Sequence, residues 1–263
     1  MKHVGETVQL KKLEQGIAVL TLNRPQAANS LSKELLYDLH DALYNMKNDP
    51  KICVVILTGA GEKAFCAGAD LKERKGMDEA QVRHIVGLIG SVINEVEALP
   101  QPVIAAINGA AFGGGLELAL ACDIRIAASH AKLGLTETSL AIIPGAGGTQ
   151  RLPRLIGVGK AKELIFTARR ITSNQAEQIG LVEHIASPES LLETAVHLAK
   201  EMAVNAPLAL FQAKTAVNHG MQTDIATGLQ IEKLAYNTLI PTEDRLEGLQ
   251  AFAEKRTPTY RGK

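Results

Sequence analysis

The sequence predicts an α/β fold, and three observations predict it. Short β-rich apolar runs alternate with stretches of helical periodicity. A strand–helix–strand order is complete within the first 60 residues, and the same order recurs after it. Beyond Pro144 the text turns almost wholly helical.

The elements follow in order. IAVLTL at 17–22 is a strand ended by Asn23-Arg24-Pro25. Leu31, Leu35, Leu39, Ala42, Leu43 and Met46 then recur at helical spacing, with Ser30 or Ser32 available as the cap and Asp49-Pro50 as the stop. Residues 54–57 are a short buried strand closed by Thr58-Gly59-Ala60-Gly61. Residues 78–99 form a long helix stopped by Pro100 and Pro102, and 103–107 (VIAAI) a second buried strand. Asn108-Gly109 turns the chain, and Gly113-Gly114-Gly115 opens a short helix through Cys122 before a strand at 124–127. Helices are expected at 158–167, 174–179, 188–204, 207–218, 224–239 and 242–255. The repetition lies in the order of elements; no close sequence repeat accompanies it. A division into residues 1–200 and a helical region 201–263 fits this pattern, although no low-complexity linker marks it.

Composition narrows the function classes. The 263 residues allow one large domain or two unequal ones, and 46% apolar residues provide a sizeable core. Trp is absent and aromatics are scarce, so Leu, Ile, Val and Ala must fill it. Lys+Arg and Asp+Glu number 28 each, and a net charge of zero attracts neither nucleic acid nor an anionic membrane over the whole surface. Cys53, Cys66 and Cys122 are few and widely spaced, which fits a reducing compartment better than a disulfide scaffold. The histidines show no metal-site spacing, so no metal is expected. The stretch MKHVGETVQLKKLEQ has no apolar core of a leader, and no apolar run reaches the ~18 residues of a membrane span. A cytoplasmic location is the expectation.

Three glycine-rich sites carry the chemistry. Phe65-Cys66-Ala67-Gly68-Ala69-Asp70 follows one strand, Gly113-Gly114-Gly115-Leu116-Glu117 another, and Pro144-Gly145-Ala146-Gly147-Gly148-Thr149 leads into a helix. A Gly-rich turn alone is ordinarily only a turn. GGGLE is neither GxGxxG nor GxxxxGK[ST], so a dinucleotide or triphosphate site is unsupported. Free N–H groups at a helix start suit a developing oxyanion better, because one or two aimed donors suffice. Glu117 stands on the same helix face as Gly114, inside the otherwise apolar LELALAC. It is an acid/base or a buried structural partner, for which Arg125 is the candidate. Glu137 lies in a polar turn where an exposed loop residue would be unremarked.

FCAGADLKE, INGAAFGGGLELALACDIRIA and LAIIPGAGGTQRLPR resemble the signature stretches of the enoyl-CoA hydratase/isomerase (crotonase) family. The likeness runs from about residue 15 to the C-terminal AFAEKRTPTYRGK. The resemblance implies a crotonase-like spiral of ββα repeats with a C-terminal helical trimerisation region, assembled as a homotrimer or homohexamer. It implies an acyl-CoA thioester substrate, hydrated across a trans-2-enoyl double bond in fatty-acid breakdown or a related pathway, with no separate cofactor. It places the two oxyanion-hole donors at Ala69 and Gly114, and the catalytic pair at Glu117 and Glu137. By the same likeness Glu117 activates the water and Glu137 supplies the Cα proton. Ala67, Ala69, Asp70, Leu71 and Lys72 fall in the acyl-CoA-binding stretch, and Phe252 and Lys255 where a neighbour's CoA can be reached.

Two departures stand out: Thr136 precedes the second glutamate where many hydratases carry Pro, and Cys66 replaces an Ala, which reads as a packed thiol. Three alternatives remain open. An isomerase needs one base, and retention of both glutamates favours hydration. SLSK, GADLKER and PTEDRLEGLQAF are similar to the methylglutaconyl-CoA hydratases, whose substrate carries a distal carboxylate. Lys72, Arg74 and Lys75 are near enough in sequence to meet one, but their spacing reads as solvated surface. A relative in that class binds AU-rich RNA through lysines on one helix. Here the matching positions are Lys33, Tyr37 and Asp41, and the aspartate repels phosphate, so RNA binding is disfavoured.

Overall fold

The computed structural model describes residues 5–263, so residues 1–4 of the N-terminal stretch lie outside the described part. Two sheets, built in alternation, organise it. The larger has the order β1 (Val8–Lys12), β2 (Ile17–Leu22), β3 (Val54–Gly59), β5 (Val103–Ile107), β7 (Ile124–Ala128) and β10 (His184–Ala186). The smaller has β4 (Ala64–Cys66), β6 (Ala110–Phe112), β8 (Lys132–Gly134) and β9 (Ile171–Thr172). Pairing is parallel throughout except for β1 on β2 and β9 on β8. Three successive pairs, β3–β4, β5–β6 and β7–β8, therefore give one strand to the large sheet and the next to the small sheet before a helix follows. The expected spiral of ββα repeats is observed.

The strands of the large sheet are buried along nearly their whole length. VIAAI of β5 has no exposed residue, as a strand covered on both faces requires. The covering helices are α1 (Lys33–Lys47), α3 (Glu79–Glu97) and α8 (Leu191–Ala203). Each buries one stripe: Leu35, Leu36, Leu39, Leu43 and Met46 in α1, and Ile85, Ile89, Val92, Ile93 and Val96 in α3. Their starts are specified locally. Of the two serines available, Ser32 caps α1 by accepting from the Leu35 N–H, and Asp78 forms a capping box with Gln81 at α3.

Six strands, β1, β4, β6, β8, β9 and β10, are not legible as strands, because five are three residues or shorter and β1 (VQLKK) is largely polar. The remaining helices are α2 (Leu71–Arg74), α4 (Gly114–Leu120), α5 (Gly148–Ile156), α6 (Val158–Thr167), α7 (Ser173–Gln178), α9 (Pro207–Gly220), α10 (Ile225–Leu239) and α11 (Glu243–Glu254). Helix α9 is tied to the spiral by Lys214, whose buried Nζ donates to Asp123 Oδ2 at 2.7 Å and to the Gln101 carbonyl at 3.0 Å. Helices α9 to α11 leave large apolar side chains exposed, Leu234, Tyr236, Leu249 and Phe252 among them. No helix of the described residues is long and apolar enough to cross a membrane.

One close approach lets the small sheet and α4 meet. A Cβ on Gly115 would stand 2.0 Å from the Cys66 carbonyl oxygen, so only glycine allows α4 to start against the end of β4. Gly115→Ala is expected to destabilise the fold by about 3 kcal/mol, the upper range for overpacking. Gly87→Ala, with nothing within 4 Å of the added Cβ on α3, should instead raise stability by up to about 1 kcal/mol. Paired denaturation curves check both.

Candidate active site

Three loops leave the C-terminal ends of the adjacent parallel strands β4, β6 and β8. They carry Ala67-Gly68-Ala69, Gly113-Gly114 and Thr136-Glu137 respectively. Ligands commonly bind at the carboxyl ends of such strands, and here the loops converge on a cavity of about 500 Å³. Ala69, Gly114, Glu117 and Glu137 all line it.

Ala69 and Gly114 present backbone donors. The parallel bridge between Leu31 and Ala69 uses the Gly68 carbonyl and the Asp70 N–H, so the Ala69 N–H turns away from it. Gly114 is the first residue of α4, where an N–H has no partner within the helix. Among the described residues neither N–H has an acceptor in the loops and caps. The two are neighbours: a Cβ on Gly114 would lie 3.7 Å from the Ala69 nitrogen.

Glu117 is 2% exposed. Its Oε1 accepts from the Ala146 and Gly148 N–H groups, both at 2.8 Å. These donors belong to the third glycine-rich site, whose Gly147 is the N-cap of α5. That site serves the glutamate. Arg151 braces it, donating to the Ala146 carbonyl at 3.0 Å and pairing with Glu97 at 2.6 Å. Burial pushes the Glu117 carboxyl up, while the two N–H groups and Arg151 pull it back. Arg125 is not its partner: that guanidinium is buried against Glu183 at 2.6 Å and the carbonyls of Leu181 and Cys122.

Glu137 is half-buried in a short 3₁₀ turn, Glu137–Leu140, and is no exposed loop residue. Its Oε2 is buried with no hydrogen-bond partner. Gly113 makes room for it at φ 50°, where a Cβ would meet Glu137 Oε1 at 3.0 Å. Burial raises its carboxyl to about 7, opposed by its own backbone N–H and helped by the charge of Glu117. The two glutamates thus sit in unlike surroundings, one clamped by donors and one nearly bare. That is how a carboxylate pair divides into a base and an acid, although such a pair titrates jointly. Cys66, fully buried against Gly115, does not line the cavity and has its thiol pushed up to about 12 by burial, which does not suit a nucleophile.

The other expected binding residues scatter. Ala67 and Leu71 line the cavity. Asp70 does not: its carboxylate pairs with Arg24 at 3.0 Å, accepts from Ser30, and caps α2 through the Lys72 and Glu73 N–H groups. Its role is to hold the loop carrying Ala69. Lys72 and Lys75 are exposed as expected, whereas Arg74 lines the cavity and corrects its reading as solvated surface. Phe252 is 87% exposed on α11 and Lys255 is exposed at its C-terminus; neither lines this cavity. The clamp on Glu117 was missed from sequence, and its signal was a PGAGG run directly before a helix.

Fold and cavity together define a site with two unpartnered backbone N–H groups next to two carboxyl groups. The comparisons give the family. The enoyl-CoA hydratase/isomerase family model matches residues 12–263, and the chain belongs to that family. It is 58% identical over 259 residues to the hydratase/isomerase-family protein YngF of Bacillus subtilis (strain 168), covering 98% of this chain and 100% of the other. It is 51% identical over 257 residues to the human mitochondrial methylglutaconyl-CoA hydratase, covering 96% of this chain and 76% of that protein. Its fold matches the crystal structure of an enoyl-CoA hydratase from Bacillus anthracis with a TM-score of 0.96 at 58% identity, over 98% of this chain and 100% of that one.

The position of Glu137 has a stability consequence. Its folded value of about 7 lies above the ordinary 4.5, so the folded state holds the proton more tightly. Stability should fall as pH rises from about 4.5 to about 7 and then level off. Glu137→Gln removes that decline, and should melt higher than the wild type at pH 8 by an amount on the order of 2–3 kcal/mol. Denaturation from pH 4.5 to 8 checks it; parallel curves for both proteins would contradict the assignment.

Proposed function

We propose that the protein is an enoyl-CoA hydratase, adding water reversibly across a trans-2-enoyl-CoA double bond to give a 3-hydroxyacyl-CoA. The observation carrying this reading is one cavity wall that holds two unpartnered N–H groups and two carboxyl groups in unlike states.

The thioester carbonyl accepts from the Ala69 and Gly114 N–H groups. Negative charge gathers on that oxygen as the enolate forms, and each aimed donor is worth about 3 kcal/mol of barrier. Glu117 takes the role of base. Its Oε1 is held by two N–H groups, which leaves Oε2 to accept from a water. The water gives its proton to Glu117 as its oxygen bonds to Cβ, and the π electrons move towards the carbonyl. Protonated Glu137 gives its proton to Cα. Water has then added as H and OH, and proton exchange returns both carboxyls to their starting states. CoA is the handle of the substrate and no separate cofactor enters the scheme.

The reading favours hydration over isomerisation because an isomerase moves one proton with one base, whereas here both carboxyls face the cavity. The similarity to a methylglutaconyl-CoA hydratase supports the hydratase reading and leaves the acyl group to the far wall of the cavity. The exposed apolar face of α9 to α11 fits contact with other copies in a homotrimer or homohexamer, where Phe252 and Lys255 would approach a neighbour's CoA. The C-terminal helices from about residue 201 would then be the oligomerisation region.

Loss of the conjugated thioester absorbance of crotonyl-CoA tests the reaction. Glu137→Gln and Glu117→Gln are each expected to lower kcat by at least about 10²-fold with KM little changed. In the hydration direction kcat/KM of the wild type should fall as pH rises through about 7, where Glu137 loses its proton. Conversion of a 3-enoyl-CoA without hydration of crotonyl-CoA would replace this reading with isomerisation.

A further inference from the structure

Arg151 does not line the cavity, yet the backbone behind Glu117 is shaped around it. Its Nη1 donates to the Ala146 carbonyl at 3.0 Å, and its Nη2 to Asn94 Oδ1 at 2.7 Å and Glu97 Oε2 at 2.6 Å. Two successive glycines clear the space. At Gly147, with φ 104°, a Cβ would stand 2.0 Å from Arg151 Nη1, and at Gly148 a Cβ would stand 3.0 Å from Glu117 Oε1. Residues 146–148 are therefore gripped from two sides, two N–H groups by the base and one carbonyl by the guanidinium.

A neutral donor would brace that segment too, so the charge of Arg151 asks for its own reason. The other groups around Glu117 supply little positive charge. Glu137 on its 3₁₀ turn keeps its proton up to about 7 and is uncharged in the acid range. Cys122 beyond α4 has its thiol pushed up to about 12 by burial and is uncharged as well. Strands β4 and β6 and the rest of α4 carry no charged side chain. On α3, Glu79 pairs with Arg83 and Glu95 with His40, and His84 is exposed. Arg154 of α5 is exposed and turns back to Gln150. Lys214 with Asp123, and Arg125 with Glu183, form closed pairs. Arg74 of α2 lines the cavity but moves the ionisation of neither glutamate. Arg151 is the cation that acts on Glu117, and with its side chain 14% exposed its field is poorly screened. Its partner Glu97 is 41% exposed, so water weakens the opposing charge.

Resting on the hydration reading above, we propose that Arg151 is a positioning residue for the base: it fixes the 146–148 segment that grips Glu117 and supplies the positive charge that the buried carboxylate faces, while Glu97 tempers that charge. Arg151 then acts on the reaction through Glu117 and touches no substrate atom. Clamped at Oε1 and held ionised, Glu117 keeps Oε2 for the water.

The test has two readouts. The infrared spectrum of each protein minus that of the same protein carrying Glu117→Gln follows ionisation of the Glu117 carboxyl without substrate. Steady-state hydration of crotonyl-CoA gives kcat and KM. Arg151→Met should move the Glu117 titration to higher pH by about one unit, and lower kcat about tenfold on the acid side of its pH profile with KM little changed. Glu97→Gln keeps an acceptor for Arg151 and removes the negative charge, so it should move the titration to lower pH by a smaller step. A merely structural brace would be loosened by both changes, and both would shift the same way. Arg151→Lys keeps the charge without the fork, so its titration should stay near that of the wild type while kcat falls. It and Glu97→Gln carry the test if Arg151→Met does not fold. An unmoved titration in Arg151→Met or Glu97→Gln, shifts of one sign in both, or a shift in Arg151→Lys as large as about one unit overturns the proposal and leaves hydration standing. Opposed shifts without hydration of crotonyl-CoA by the wild type remove the hydratase reading and keep the hold of Arg151 on Glu117.

Discussion

Parallel pairing of β4 with β6, and of β6 with β8, sets the distance between the groups that the site needs. Adjacent parallel strands lie about 4.8 Å apart. Loops leaving the same end of neighbouring strands are therefore close without any long-range search, and here they deliver Ala69, Gly114 and Glu137. The pairing continues past the end of β6: the Gly113 N–H donates to the Gly134 carbonyl at 2.9 Å, fixing the second loop against the end of β8. Asp70, Arg24 and Ser30 fix the first. The small sheet has little core of its own. Three of its strands each follow directly on a strand of the large sheet, and α4 starts against the end of β4.

Glu117 shows how such a site tolerates a charge in its interior. A buried carboxylate without donors would simply take up a proton. Two N–H groups at the start of α5 counter that tendency, and Arg151 holds the loop that supplies them against α3. Glu137 receives no comparable support and keeps its proton to higher pH. The difference between acid and base thus resides in the backbone around two chemically identical side chains. The nearly bare Glu137 is held at a cost in stability, a common exchange at functional sites.

The helices and the central strands were legible in the sequence because each carries its own signal. Asp78 with Gln81 announces α3, Ser32 was one of two serines offered for α1, and continuous apolar runs mark β2, β3 and β5. The small sheet was not legible, since three-residue strands show no period. The glutamates and glycine loops could be named from motifs, but not their mutual placement, which depends on strand pairing. Asp70 and Arg74 misled for one reason: spacing along the chain does not say which side of a short helix faces a cavity. Asp70 turned out to be a cap and ion-pair partner, and Arg74 a cavity wall. The role of PGAGG was hidden because its ligand is a side chain of the protein itself.

The account turns on two amides sharing one oxygen. A crystal structure of the protein with butyryl-CoA, which has no double bond to hydrate, measures this directly. The thioester carbonyl oxygen should lie about 2.7–3.2 Å from both the Ala69 and Gly114 nitrogens, with Cα and Cβ facing Glu137 and Glu117. A carbonyl bound by only one of the amides or by neither, with the acyl chain lying away from the two glutamates, would contradict it.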